Sequence, residues 1–193
     1  MQDLVNFLFE SGMLQKTPRS GFFFLGSGEQ SVAEHTHRVV IIGYSLAMLD
    51  GTVDTLKILK MCLLHDFPEA RTSDLNYVHQ KYAKAEEQKA IDDLVRTLPF
   101  GPDIKNILTE YEERKTPESL YAKDADQLEL ILSLKEQMDI GNNRAKTWIP
   151  SGLKRFKTDI AKELAEKIIA MDSDMWWFSH KDDGSWVNRD GKK

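Results

Sequence analysis

The chain has 193 residues, 41% of them hydrophobic, with 31 acidic against 26 basic side chains for a formal charge of −5. That length and balance fit one domain with a sizeable core and exclude a collagenous, low-complexity or disordered chain. The acidic excess argues against duplex nucleic acid as the main partner, because such proteins present a basic face.

The amino-terminal MQDLVNFLFESGML has no basic stretch ahead of its apolar residues, so no secretory signal is expected. No apolar run approaches the ~20 residues that span a bilayer, so no membrane partner is expected either. A single cysteine, Cys62, excludes an intrachain disulfide or a Cys-rich zinc site and points to a reducing, cytoplasmic setting.

In chain order, Leu4, Phe7, Leu8 and Met13 predict a short amphipathic helix that Lys16-Thr17-Pro18 ends. Residues 15–30, with Pro18, Gly21, Gly26 and Gly28 around Phe22-Phe23-Phe24, read as a loop or at most a short extended piece. Ser31-Val-Ala-Glu34 has the form of a capping box, which predicts a helix from there to about Leu49, stopped by Asp50-Gly51. The next helix starts at Thr52 or Asp54 and carries Leu56, Leu59, Cys62 and Leu63. It breaks after His65-Asp66, because Pro68 lacks an amide and pushes Phe67 out of helical geometry.

Residues 79–98 and 102–115 give two further helical patterns, the second with Pro102 at the permitted first position. Thr116-Pro117-Glu118 starts a helix through about Ile140, closed by Gly141-Asn142-Asn143. Leu120, Leu128, Leu130, Ile131, Leu132 and Leu134 make it apolar on more than one side, as a central buried helix is. A last helix, roughly 152–171, carries Ile160, Leu164 and Ile168. With no hairpin signal and no repeat, the class is all-α: one helical domain over residues 1–171. An aromatic-rich tail, 172–193, follows, whose Trp176, Trp177, Phe178 and Trp186 are expected to pack on the domain or on a second subunit.

Of the five histidines, His35 and His65 lie deep in apolar helical sequence beside acidic residues, whereas His37, His79 and His180 suggest no chemistry. A lone histidine of this kind is usually a hydrogen-bonded core residue, a reading that the adjacent His65-Asp66 weakens. Successive helical side chains point about 100° apart, so both can reach one ion lodged between their helix and another. An unpaired buried Asp66 would be costly. With His35 and a carboxylate of the central helix, two imidazoles and two anions offset a divalent cation. On a helical wheel Asp124 lies nearer the Tyr121, Ala125, Leu128 and Leu132 stripe, with Asp126 almost opposite, so periodicity alone favours Asp124. Glu34 and Arg38, flanking His35, are expected on the helix surface, although Arg38 is within reach of a site carboxylate.

The order His35, His65-Asp66, then an Asp within Lys123-Asp124-Ala125-Asp126 resembles the H…HD…D signature of the HD-domain metal-dependent phosphohydrolases, an all-helical superfamily. Ser31-Val-Ala-Glu-His35, His65-Asp-Phe-Pro-Glu69-Ala, Thr72-Ser-Asp74 and Pro18-Arg19-Ser-Gly extend the resemblance to its 5′-deoxynucleotidase branch, over about residues 1–170. Pro68 departs from that pattern. The resemblance implies a single HD-domain bundle holding one divalent ion through His35, His65, Asp66 and Asp126. Asp126 is chosen over Asp124 because the family ligand falls three residues after a Lys and two before a Leu.

The implied activity is hydrolysis of nucleoside 5′-monophosphates, in particular deoxyribonucleotides, by a homodimer. Glu69 and Asp74 are the implied catalytic carboxylates, Glu69 as proton donor or water-orienting group and Asp74 near the sugar hydroxyls. Arg19 is the implied phosphate clamp, with Thr72 beside Asp74 and Phe22 as the aromatic near the sugar. Two nitrogen and two oxygen ligands leave positions open for water and a substrate oxygen, and do not separate Mn, Co, Mg, Fe, Ni or Zn. Two alternatives stand beside this reading. One is another HD chemistry, on an alarmone or a nucleoside triphosphate, although the acidic pair of alarmone hydrolases is here Glu69-Ala70. The other is a non-catalytic nucleotide-binding module.

Overall fold

Helix-start signals position the main elements of the computed structural model, which describes residues 1–178. Helix α1 (Gln2–Ser11) runs into a 3₁₀ turn (Gly12–Gln15), followed by α2 (Phe22–Leu25) and α3 (Val32–Asp50). The Ser31–Glu34 capping box forms at the start of α3, and Gly51 in left-handed geometry ends it. Asp54 caps α4 (Thr55–Leu64), accepting from the Lys57 amide. Next come the single turns α5 (Glu69–Thr72) and α6 (His79–Tyr82), then α7 (Glu87–Val95) and α8 (Gly101–Glu113). Thr116 and Ser119 cap α9 (Pro117–Asp139), which is followed by α10 (Asn143–Leu153), α11 (Asp159–Ala170) and α12 (Met175–Phe178). The class is all-α: the described residues contain no strand, only an isolated bridge between Pro18 and Ser31.

Helix α9 is the axis, packing against α3, α4, α8, α10 and α11. Its Ala122, Ala125, Leu128 and Ile131 are fully buried, together with Val39 and Leu46 of α3 and Ile58, Met61 and Cys62 of α4. Gly43 permits this approach, since a Cβ there would stand 2.5 Å from the Cys62 sulfur and 3.2 Å from Ile58. A smaller cluster of Leu14, Val32, Phe67 and Leu94 seats the segment after α4, with Phe7 of α1 stacked on Phe67 at 5.0 Å. A third, of Leu25, Leu134, Ala145 and Ile149, holds α2 and α10 to the far part of α9. No helix among the described residues is long and apolar enough to cross a membrane.

Four expectations need correction. The Phe22-Phe23-Phe24 run is a helical turn, held because Leu25 is buried and Gly26 takes the left-handed conformation that closes it. Residues 79–98 do not form one helix, since Ala83 turns extended and separates α6 from α7. Asn142 is not a stop; it caps α10, accepting from the Arg144 and Ala145 amides, so a helix precedes the last one. That last helix starts at Asp159, capped by Thr158, rather than near 152. In the tail, Trp176 is 85% exposed in the single chain, and Trp177 stacks on Phe178. Trp186 and His180 lie outside the described residues.

Candidate metal centre and its cavity

Three elements deliver the chemistry. His35 sits one turn into α3 and is fully buried. His65 is the carboxy-terminal cap of α4, with Asp66 in the turn that follows, where the Glu69 amide donates to the Asp66 carbonyl. Pro68 costs this turn nothing, because at the start of α5 no helical partner is required of its nitrogen. Asp126 projects from the middle of α9.

The ligand-type atoms of His35, His65 and Asp126 all lie within 4.8 Å of one another. Asp66 Oδ2 stands 3.4 Å from His35 Nε2 and 3.2 Å from His65 Nε2, and Asp126 Oδ1 3.3 Å from His35 Nε2. His35 Nδ1 donates to Glu129 at 2.6 Å, and His65 Nδ1 to the Cys62 carbonyl at 3.0 Å. Both rings therefore turn Nε2 inward, 3.3 Å apart. In that pose the two Nε2 atoms face each other between two carboxylates, an arrangement that positive charge relieves, whether a proton on His35 or a metal ion; the donor set fits a divalent ion.

The electrostatics agree. Burial and Arg19 act to lower His35, yet its bonds to Asp126 and Glu129 and the Asp66 charge outweigh them and raise its pKa to about 9. Burial would raise both site aspartates. His65 and Arg19 nevertheless hold Asp66 below the usual carboxylate range, and Lys123 and His35 do the same for Asp126. Glu69 goes the other way: burial, then the charges of Asp66 and Asp74, push it up to about 9. Its Oε2 is buried with no hydrogen-bond partner among the described residues.

Arg19 Nη1 reaches Asp66 Oδ2 at 3.1 Å, and its backbone amide is tied to the Gln30 carbonyl. Asp74 organises the same loop, accepting from the Ser20 amide at 2.9 Å while its carbonyl accepts from the Ser20 hydroxyl. Ser73, at φ 61°, is the strained non-glycine residue that turns the chain back toward Ser20. Arg19, Phe22, Gln30, Asp74, Tyr77 and Trp148 line a cavity of 420 Å³ beside the cluster. Thr72 does not line it; its hydroxyl bonds the Pro68 carbonyl at 3.2 Å.

The helical-wheel argument for Asp124 is overturned. Asp124 is buried against the start of α11, where it accepts from the Lys157 and Thr158 amides and the Thr158 hydroxyl. The wheel found a buried face, but α9 is buried on several faces and only one meets α3 and α4. Arg38 is likewise not an ordinary surface cation. It donates to Glu129 Oε1 at 3.1 and 2.8 Å and to the Ser133 hydroxyl. Glu129 escaped the sequence reading, although an acid between Leu128 and Leu130, one turn after Asp126, was the available signal. Tyr77, Trp148 and Arg155 escaped it with no local signal.

A family model described as HD domain matches residues 11–169. The 5′-deoxynucleotidase HDDC2 of Dictyostelium discoideum is 34% identical over 149 residues, covering 70% of this chain and 78% of that protein. The 5′-deoxynucleotidase hdd1 of Schizosaccharomyces pombe is 29% identical over 144 residues, covering 69% and 71%. Among solved structures, a conserved hypothetical protein from Pyrococcus furiosus superposes with a TM-score of 0.72 at 28% identity, covering 86% of this chain and 99% of that one.

Proposed function

This chain belongs to the HD-domain family, and on that premise we propose that it is a metal-dependent phosphomonoesterase converting deoxyribonucleoside 5′-monophosphates to nucleoside and inorganic phosphate. The observation that carries the reading is the pair of inward-facing Nε2 atoms 3.3 Å apart between Asp66 and Asp126.

His35, His65, Asp66 and Asp126 would hold the ion, which when bound supplies Lewis-acid polarisation of a phosphate oxygen and makes water acidic enough to attack phosphorus near neutral pH. Arg19, already facing Asp66, supplies a planar cation to the remaining phosphate oxygens and to the charge that grows on them. Glu69, protonated at neutral pH, gives its proton to the leaving 5′-oxygen. Phe22 and Trp148 offer apolar surface to the nucleoside and Asp74 an acceptor for a sugar hydroxyl. The 420 Å³ cavity lies within the roughly 300–1,000 Å³ usual for small-ligand sites.

The same reading makes the protein cytoplasmic and homodimeric, and light scattering across a concentration series tests the dimer. The central experiment strips the protein with a chelator, restores Mn²⁺, Co²⁺, Mg²⁺ or Zn²⁺ singly, and measures phosphate released from each common nucleoside monophosphate. Release from deoxyribonucleotides that depends on added metal is expected. No release with any metal overturns the proposal.

A further inference from the structure

A second cavity, of 590 Å³, shares Arg19, Leu130 and Arg155 with the first and Asp126 with the metal cluster. Its walls carry six basic side chains, Arg19, Arg114, Lys123, Lys154, Arg155 and Lys157, against the one acid Asp126, in a chain whose formal charge is −5. Three of the six are engaged: Arg19 with Asp66, Lys123 with Asp126 at 2.7 Å, and Arg155 with the Tyr77 hydroxyl at 2.8 Å. Arg114, Lys154 and Lys157 make no side-chain ion pair among the described residues.

Two further features border the cavity, an amide donor packed toward Gly152 of α10 and an arginine with strained backbone. Gln127 on its wall is only 7% exposed, and its Nε2 donor is buried with no hydrogen-bond partner among the described residues. An unmet buried donor costs about 1–3 kcal/mol. Arg114 stands at the end of α8 in left-handed geometry, φ 53°, a position usually given to glycine.

Asp66 and Asp126 offset a divalent ion, so the negative charges that a monophosphate brings, about two, are answered by Arg19 and Lys123. The remaining cations exceed what that substrate needs, and they surround space continuous in its lining residues with the phosphate clamp. We propose that this cavity receives the polyphosphate chain of a nucleoside di- or triphosphate whose first phosphate lies at Arg19, so that such nucleotides compete with monophosphate hydrolysis. The nucleoside end of this inference rests on the function proposed above; the polyphosphate end does not. Several uncommitted cations around one mouth attract an extended anion much more strongly than a compact one, and the attraction weakens with salt.

Two measurements test it. The first is calorimetric binding of inorganic tripolyphosphate and of orthophosphate, which needs no turnover. The second is inhibition of deoxyadenosine monophosphate hydrolysis by deoxyadenosine triphosphate at fixed free divalent ion. Wild type is expected to bind tripolyphosphate at least tenfold tighter than orthophosphate, and the nucleoside triphosphate tighter still. Lys154→Gln/Lys157→Gln should weaken tripolyphosphate binding and triphosphate inhibition at least tenfold while changing KM for the monophosphate less than twofold.

The Lys157 backbone amide that bonds Asp124 is untouched by this change, and Arg114→Gln gives a second, independent variant with the same expected direction. Tripolyphosphate affinity unchanged in both variants overturns the inference, as does a KM rising in parallel with the inhibition constant. Lysine-dependent tripolyphosphate binding in a protein that hydrolyses no monophosphate would overturn the proposed function alone.

Discussion

Glu129 accepts from four residues, His35, Arg38, Gln30 and Ser133, and these bonds decide which nitrogen of His35 faces the cluster. Burial alone would raise its pKa, but the His35 bond and charge, with Arg38 behind them, bring it to about 2, so it stays an acceptor at every working pH. Glu129→Gln leaves the shape and removes the charge; metal affinity is expected to fall about 10–100-fold in competition against a chelator. Glu69 acts in the opposite sense. Its pKa is raised to about 9 in the ion-free site, and an ion offsetting the Asp66 charge would bring it down from there, so turnover of the metal-loaded enzyme should fall on the alkaline side at or below that value. Glu69→Gln is expected to lower kcat by roughly 10²–10⁴ and to abolish the alkaline limb with metal still bound. The linkage sign follows: the folded state keeps a proton that the unfolded chain releases above its ordinary 4.5, so stability is lost as pH climbs from there to about 9.

At the scale of elements, two aspartates two residues apart on α9 serve different neighbours. Asp126 faces α3 and the end of α4, whereas Asp124 receives the first amides of α11. Asp124→Asn should lower unfolding free energy by about 1–3 kcal/mol in a denaturant titration and leave metal affinity unchanged. Asp126→Asn should abolish tight metal binding. Equal effects of both substitutions on affinity would contradict this division. The loop carrying Arg19 is set in the same manner, since Asp74 and Gln30 rather than local propensity hold its backbone.

At the scale of the molecule, the cluster joins α3, the turn after α4, and α9, so an ion there ties three otherwise separate segments together. It would also neutralise two partly buried carboxylates, Asp66 and Asp126. A ligand that binds only the folded state at 100 times its dissociation constant adds about 2.7 kcal/mol. For a domain of this size that corresponds to roughly 5–10 °C in the thermal midpoint. Chelator treatment should therefore lower the midpoint by that amount in scanning calorimetry, and a second metal addition should restore it.

His35, His65-Asp66 and the Lys123–Asp126 segment were legible as motifs, and the Ser31, Asp54 and Thr116 start signals as helix boundaries, because both depend on residues within one or two turns of each other. Such local rules hold whatever the rest of the chain does. They could not choose between Asp124 and Asp126, foresee α10, or find Glu129, Trp148 and the basic mouth around Lys154 and Lys157. Each of those turns on which helix lies opposite. A helix buried on several sides has no single inward face, and a buried charge is tolerated only where a distant segment brings its partner.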